Sequence, residues 1–214
     1  NDNLIENNVV VIGNSGTSHN DALQAANGEN RLIARNNWLE WTNGRGNSNS
    51  QGFIIEDSSD WVHFYNNVVL GTSENPYQAA LFKEADPGGI YYIWNNTIIA
   101  QHPKGVALNL LNCTDEEIGE IKNNIIISPG HYAILSLAAP TASKVDYNDL
   151  YTGGQYIAYI NGSKTWAQYQ AGGYDAHGYN LYPYYDASDE YRLTGSSTCC
   201  IDRGITLDSR FDTD

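Results

Sequence analysis

The stretch Ser18-His19-Asn20-Asp21-Ala22-Leu23-Gln24 places a histidine two residues from a carboxylate. On an extended strand, residues two apart share a face. His19 and Asp21 are therefore a candidate base and its partner, and Lys83 and Arg35 are candidate cations. Together they could serve an elimination, in which a base takes the proton beside a carboxylate and a cation stabilises the enolate. Taking Leu23, Ile54 and Leu81 as one column puts Gln24 beside Ile55 and Phe82, with Glu56 and Lys83 two residues further on. The competing reading is plainer and stronger: His19 and Asp21 hydrogen-bond a turn, and Glu56 and Lys83 form a surface ion pair of little consequence. No close pair of carboxylates compels a glycosidase reading.

A second constellation is aromatic. His63, Tyr65, Tyr92 and Trp94 recur one sequence repeat apart, with Arg35 and Lys122 flanking them. Rings stacked at strand spacing form a platform for the apolar faces of sugar rings. The alternatives are cross-strand packing under a covering loop and an interface between subunits. Spacing predicts Tyr65 and Trp94 as solvent-accessible neighbours that carry any ligand contact. Asp57 and Asp60, with Asp86 about one repeat later, could hold Ca²⁺, although loop aspartates are mostly turn formers. Cys113, Cys199 and Cys200 show no Cys-x-x-Cys spacing. The vicinal pair meets disulfide geometry poorly, which leaves Cys113 with one of the pair as an option. The sequons at Asn95, Asn112 and Asn161 are weak signals.

The elements that must position these residues repeat. Asn-Asn or Asn-Asp pairs stand at Asn7-Asn8, Asn36-Asn37, Asn66-Asn67, Asn95-Asn96, Asn123-Asn124 and Asn148-Asp149, in steps of 29, 30, 29, 28 and 25 residues. Most are followed by an apolar or β-branched run such as Val9-Val10-Val11 or Ile125-Ile126-Ile127. Two residues before the first Asn stand Ile5, Ala34, Phe64, Ile93 and Ile121, but Asp146 in the sixth, which reads as an atypical end repeat. Each repeat holds a further apolar segment, from Ala22-Leu23 to Tyr156-Ile157-Ala158. Helical periodicity is hard to find. A unit of short strands near this length suits one coil of a parallel solenoid, and an Asn at a turn can bond the same Asn one coil on. Alternation then turns the residue two before each Asn pair inward and its neighbours outward.

This pattern resembles the right-handed parallel β-helix proteins of the pectate-lyase-like superfamily, over nearly the whole chain. The resemblance implies an all-β solenoid of about six coils over residues 1–160. After Asp149 the repeat fades. Trp166 to Gln170, Gly173-Tyr174-Asp175-Ala176-His177, Tyr191-Arg192-Leu193, Gly195-Ser196 and Ile201-Asp202-Arg203-Gly204 resemble the closing segment of bacterial secreted β-helix proteins. That implies an irregular C-terminal cap over 161–214, with His177 structural. Cys199-Cys200 departs from the family, which has small residues or proline there, and the chain stops at Asp214 where such proteins commonly run on.

The chain has 214 residues, 41% of them hydrophobic, enough for one domain with its own core. A formal charge of −14 disfavours nucleic acid and anionic membranes, and disfavours acidic polysaccharides unless cations offset it. No apolar run reaches the roughly 18 residues of a membrane helix. With no Met and no basic, apolar leader, the chain reads as a mature or truncated product. The expectation is a secreted, extracellular β-helix that binds or processes a polysaccharide or other glycan, in the manner of a polysaccharide lyase or hydrolase. The rival is a non-catalytic module of an adhesin, fibre or tailspike, with flanking domains or as a homo-oligomer.

Overall fold

The computed structural model describes residues 2–14, 21–25, 31–43, 51–55, 61–71, 79–83, 89–136, 138–186 and 192–207. Short strands visit three parallel sheets in rotation, so that each strand pairs with the third one after it. The first sheet holds Asp2–Glu6, Arg31–Arg35, Trp61–Tyr65, Ile90–Trp94, Ile118–Lys122 and Val145–Asp146. The second holds Val9–Asn14, Trp38–Asn43, Val68–Gly71, Thr97–Ala100, Ile125–Ser128 and Asp149–Thr152. The third runs from Leu23–Ala25 through Phe53–Ile55, Ala79–Lys83, Val106–Asn109 and Ile134–Ser136 to Ala158–Ile160, closed by the antiparallel Ser163–Lys164. This all-β arrangement is compatible with a parallel solenoid.

Alternation sets the core. Ala34, Phe64, Ile93, Ile121 and Val145 of the first sheet pack in one cluster with Ile98 of the second and Leu108 of the third. The residue two before each asparagine pair does face inward. The sixth repeat needs correcting. Ile121 pairs with Val145, and Lys122 with Asp146. The aligned pair is therefore Tyr147-Asn148, not Asn148-Asp149, and the residue two before it is the apolar Val145. The sixth repeat is regular in its core. The third sheet needs the same kind of correction. Leu23 pairs with Phe53 and Phe53 with Leu81, so Ile54 stands one residue off the column assigned to it, and Gln24 pairs with Ile54.

The two residues of each pair do different work. The first turns the chain: Asn7, Asn36, Asn66, Asn95 and Asn123 all take φ between 53° and 59°, and Tyr147 takes 62°. Asparagine tolerates this left-handed region better than most residues. The second builds a ladder. Asn96, for example, donates its backbone N–H (3.0 Å) and its Nδ2 (3.0 Å) to Asn124 Oδ1, and donates Nδ2 again to the Phe64 carbonyl at 2.9 Å. The same bonds join Asn8, Asn37, Asn67, Asn96, Asn124 and Asn148.

The ladder ends on a carboxylate. Asp175 Oδ1 accepts from Asn148 N–H (2.9 Å) and Nδ2 (2.8 Å), and Oδ2 accepts from the Tyr169 hydroxyl at 2.9 Å. Tyr169 rides on the helix Trp166–Ala171, which Thr165 and Gln168 start with a reciprocal capping box. Its ring is wholly buried in the core, so this helix closes the end of the stack. The chain then turns back along the outside. Tyr185–Asp186 pairs with Arg192–Leu193, Asn123 exchanges two hydrogen bonds with the Ile205 backbone, and Leu207 packs on Tyr65 and Trp94. Among the described residues, the C-terminal part thus meets the last ladder asparagine and then runs as a strap along the wall.

Candidate functional site

The aromatic constellation of the first sheet assembles. The His63 ring lies 5.0 Å from Tyr92 and 5.4 Å from Trp94, and Tyr92 lies 4.9 Å from Trp94. Its exposure differs from expectation. Tyr65 and Trp94 point away from the core, as alternation requires, yet are only 2% and 4% exposed. They form a separate cluster with Ile33, Tyr92 and Leu207. The strap covers them, a long-range contact that periodicity does not encode. His63 and Tyr92 remain half-buried. A bulge between Tyr91 and Tyr92 inserts Gly119 opposite them, and a Cβ there would stand 2.6 Å from the Tyr92 ring.

The flanking cations are engaged. Arg35 donates to Glu6 Oε2 at 2.7 Å and to the Tyr65 hydroxyl at 3.1 Å, bonds that raise its pKa further. Lys122 pairs with Glu120 at 2.7 Å.

Of the four candidate catalytic residues, Arg35, Asp21 and Lys83 lie among the described residues, at separate places along the backbone. Arg35 ends a strand of the first sheet, whereas Lys83 ends a strand of the third. Asp21 precedes the third sheet, and its Oδ1 accepts from the Gln51 N–H at 2.7 Å, a turn contact. Lys83 shares a row with Ala25 and Ile55, four residues along the strand from Asp21, or about 13 Å. His19, Glu56, Asp57, Asp60 and Asp86 lie outside the described residues. All three cysteines are free. Cys113 is buried in the core, and Cys199 and Cys200 lie beside Asp149. His177 bonds Asp146 at 2.8 Å and stacks on Tyr147. Burial works to raise the Asp146 carboxyl, but hydrogen bonds from His177 and Tyr147 hold it below its ordinary value.

The outer wall of the second sheet holds a groove that the sequence reading missed. Ile99 and Ile127 form an apolar floor with Leu70. Tyr151, Tyr182 and Tyr185 rise beside it, with Gln101 as a polar neighbour, around a cavity of about 420 Å³. Tyr151 and Tyr182 meet edge to face at 5.1 Å, and Tyr182 lies 5.8 Å from Tyr185. Tyr182 is 41% exposed. The available signal was the tyrosine-rich run Tyr179 to Tyr185, which lacks the repeat that drew attention to the first sheet. A smaller pocket of about 190 Å³ lies over the turn between the first two sheets, lined by Asn123, Tyr147, Asp149, Cys199, Cys200 and Arg203, among others.

No protein-family model, curated protein or solved structure matches this chain. Among the described residues, no helix is long and apolar enough to cross a membrane.

Proposed function

We propose that this protein is a non-catalytic carbohydrate-binding module, working outside the cell on a right-handed parallel β-helix of about six coils related to the pectate-lyase-like proteins. The observation that carries this reading is the groove of Tyr151, Tyr182 and Tyr185 over Ile99 and Ile127. Tyrosine offers a flat apolar face and a hydroxyl together, and a concave, mostly apolar site with a few polar groups is the usual form of a small-ligand site. Among the described residues, no carboxylate, histidine or lysine lines it, which favours binding over turnover. The formal charge of −14 favours a neutral glycan over an acidic one.

The test is a glycan array run beside assays for unsaturated product and reducing sugar. Binding without turnover supports the module. Turnover restores the lyase or hydrolase reading, with His19 first among residues to replace. A second reading, a structural or adhesive module, draws on the exposed apolar side chains Leu4, Val9 and Val11 of the first repeat. Failure to bind any glycan, with self-association in solution, would favour it.

A further inference from the structure

Three potential metal ligands meet on the wall beside the groove. Asp149 opens the sixth strand of the second sheet, and Cys200 Sγ lies 3.1 Å from its Oδ2. Cys199 Sγ lies 2.9 Å from Cys200 Sγ. All three donor atoms fall within 4.8 Å of one another. Neighbouring side chains on a strand would point apart. Here the chain is turned instead: Cys200 N–H and Ile201 N–H both donate to the Ser197 carbonyl at 3.2 Å, and the turn brings the two sulfurs together. Asp149 Oδ1 accepts from the Leu181 N–H at 3.2 Å, so Oδ2 is the atom presented to the thiols.

We propose that Asp149, Cys199 and Cys200 bind one thiophilic divalent cation of the zinc class, with the fourth position open to the adjoining pocket. Metal–sulfur bonds of about 2.3 Å and metal–oxygen bonds of about 2.0–2.2 Å in a tetrahedron hold neighbouring donors roughly 3.4–3.8 Å apart. The separation between the two sulfurs and that between Cys200 and Asp149 need to open by less than about 1 Å. Sulfur ligands select against Ca²⁺ and Mg²⁺, which prefer oxygen. Charge is consistent as well. Two thiolates and a carboxylate carry −3, the cation leaves −1, and Arg203 on the same pocket supplies +1. Binding forms two metal–sulfur bonds and releases the two thiol protons to solvent. Asp149 and Cys199 are each 3% exposed.

The site would clamp the strap to the second sheet. It would also steady the groove, because Leu181 bonds Asp149 and Tyr182 follows it in the chain. The inference does not depend on the sugar reading.

The experiment is titration of the full, reduced chain with Cd²⁺ and with Zn²⁺. The expected result is one Cd²⁺ per chain with a thiolate-to-metal charge-transfer band, reversed by a chelator. Native alkylation followed by peptide mapping should show Cys199 and Cys200 protected by metal. Cys113, buried in the core, serves as the internal control. The double variant Cys199→Ser/Cys200→Ser should lose the band while its circular dichroism is unchanged. Asp149→Asn should weaken binding by about tenfold or more, at least what loss of a supporting group costs a metal site. Binding that persists in the double variant would overturn the proposal. So would wild-type protein that takes up no Cd²⁺, or a reduced and refolded chain in which the two sulfurs pair as a disulfide in preference to binding metal. Should the double variant fail to fold, the alkylation map of the wild type decides alone.

Discussion

The asparagine column and the strapped wall lie a few residues apart and are held in opposite ways. Along the column, each rung is made by residues that recur at nearly fixed spacing, and each ladder asparagine satisfies its own N–H, its amide and its neighbour's amide together. Along the wall, the contacts join residues far apart in sequence, such as Asn123 to Ile205 and Leu207 to Trp94. The column is buried, with Asn67, Asn96 and Asn124 each 1% exposed. Residues 201–206 of the strap are exposed. A cooperative interior with a separately detachable exterior is the expected consequence.

The largest effect should come from breaking the column in its middle. Asn96→Ala removes an acceptor that serves both the Asn67 N–H and Nδ2, and leaves Asn124 Oδ1 and the Phe64 carbonyl without the Asn96 amide. Buried groups left unsatisfied cost about 1–3 kcal/mol each. The loss should reach roughly 3–6 kcal/mol in denaturant unfolding, a large fraction of the stability of an ordinary domain. A loss under about 1 kcal/mol would mean the ladder follows the fold rather than holding it.

The column's closed end should show itself in pH. Burial pushes Asp175 up to about 7, against the hydrogen bonds from Asn148 and Tyr169 that favour its charge. In the unfolded chain it titrates near 4. Between those values the folded state holds a proton that the unfolded state has lost. This residue's contribution to stability is therefore full below about 4 and declines as pH rises towards 7, at a slope approaching 1.4 kcal/mol per unit, roughly. Asp175→Asn keeps an acceptor for Asn148 and should flatten that decline in unfolding measured from pH 4 to 8, roughly. An unchanged slope would place the proton elsewhere.

The wall's effect should be on ligand and not on the fold. Tyr182→Ala should weaken binding of a glycan found on the array by about 1–3 kcal/mol, by analogy with bases stacked on aromatic rings, with little change in unfolding. Trp94→Ala should leave binding unchanged, because the strap covers that ring. The opposite pattern, with Trp94 needed and Tyr182 dispensable, would put the ligand on the first sheet and require the strap to lift.

This division also explains what could be read from the chain. Period and alternation report on residues that stack on their own kind, so the strands, the inward face and the asparagine column were legible. The sixth repeat misled because Asn148-Asp149 imitates the pair, while Tyr147 takes the left-handed turn that asparagine takes elsewhere. The exposure of Tyr65 and Trp94 was not legible. Alternation says which way a side chain points and nothing about what later folds over it. Asp149 was equally hidden, since its partners stand 50 and 51 residues on, in a segment with no repeat.

The smallest effect should come from the strap's polar anchor. Asn123 Nδ2 donates to the Ile205 carbonyl at 2.7 Å, and the Ile205 N–H donates back to Oδ1 at 2.9 Å. The side chain thus imitates an extra strand for two bonds. Both are exposed, so each is worth only about 0.5–1.5 kcal/mol. Alanine would confuse the result, because Asn123 sits at φ 59°, where a Cβ is costly. Asn123→Gly removes the side chain without that penalty, and Asn66→Gly at the same turn position two repeats earlier controls for the added chain freedom. Relative to that control, the Ile205 amide should exchange with solvent about tenfold faster, the change that 1.4 kcal/mol of local opening produces. The Asn96 amide should be unaffected. If both amides speed up together, the strap is part of the cooperative unit, and the wall is as integral to the fold as the column it covers.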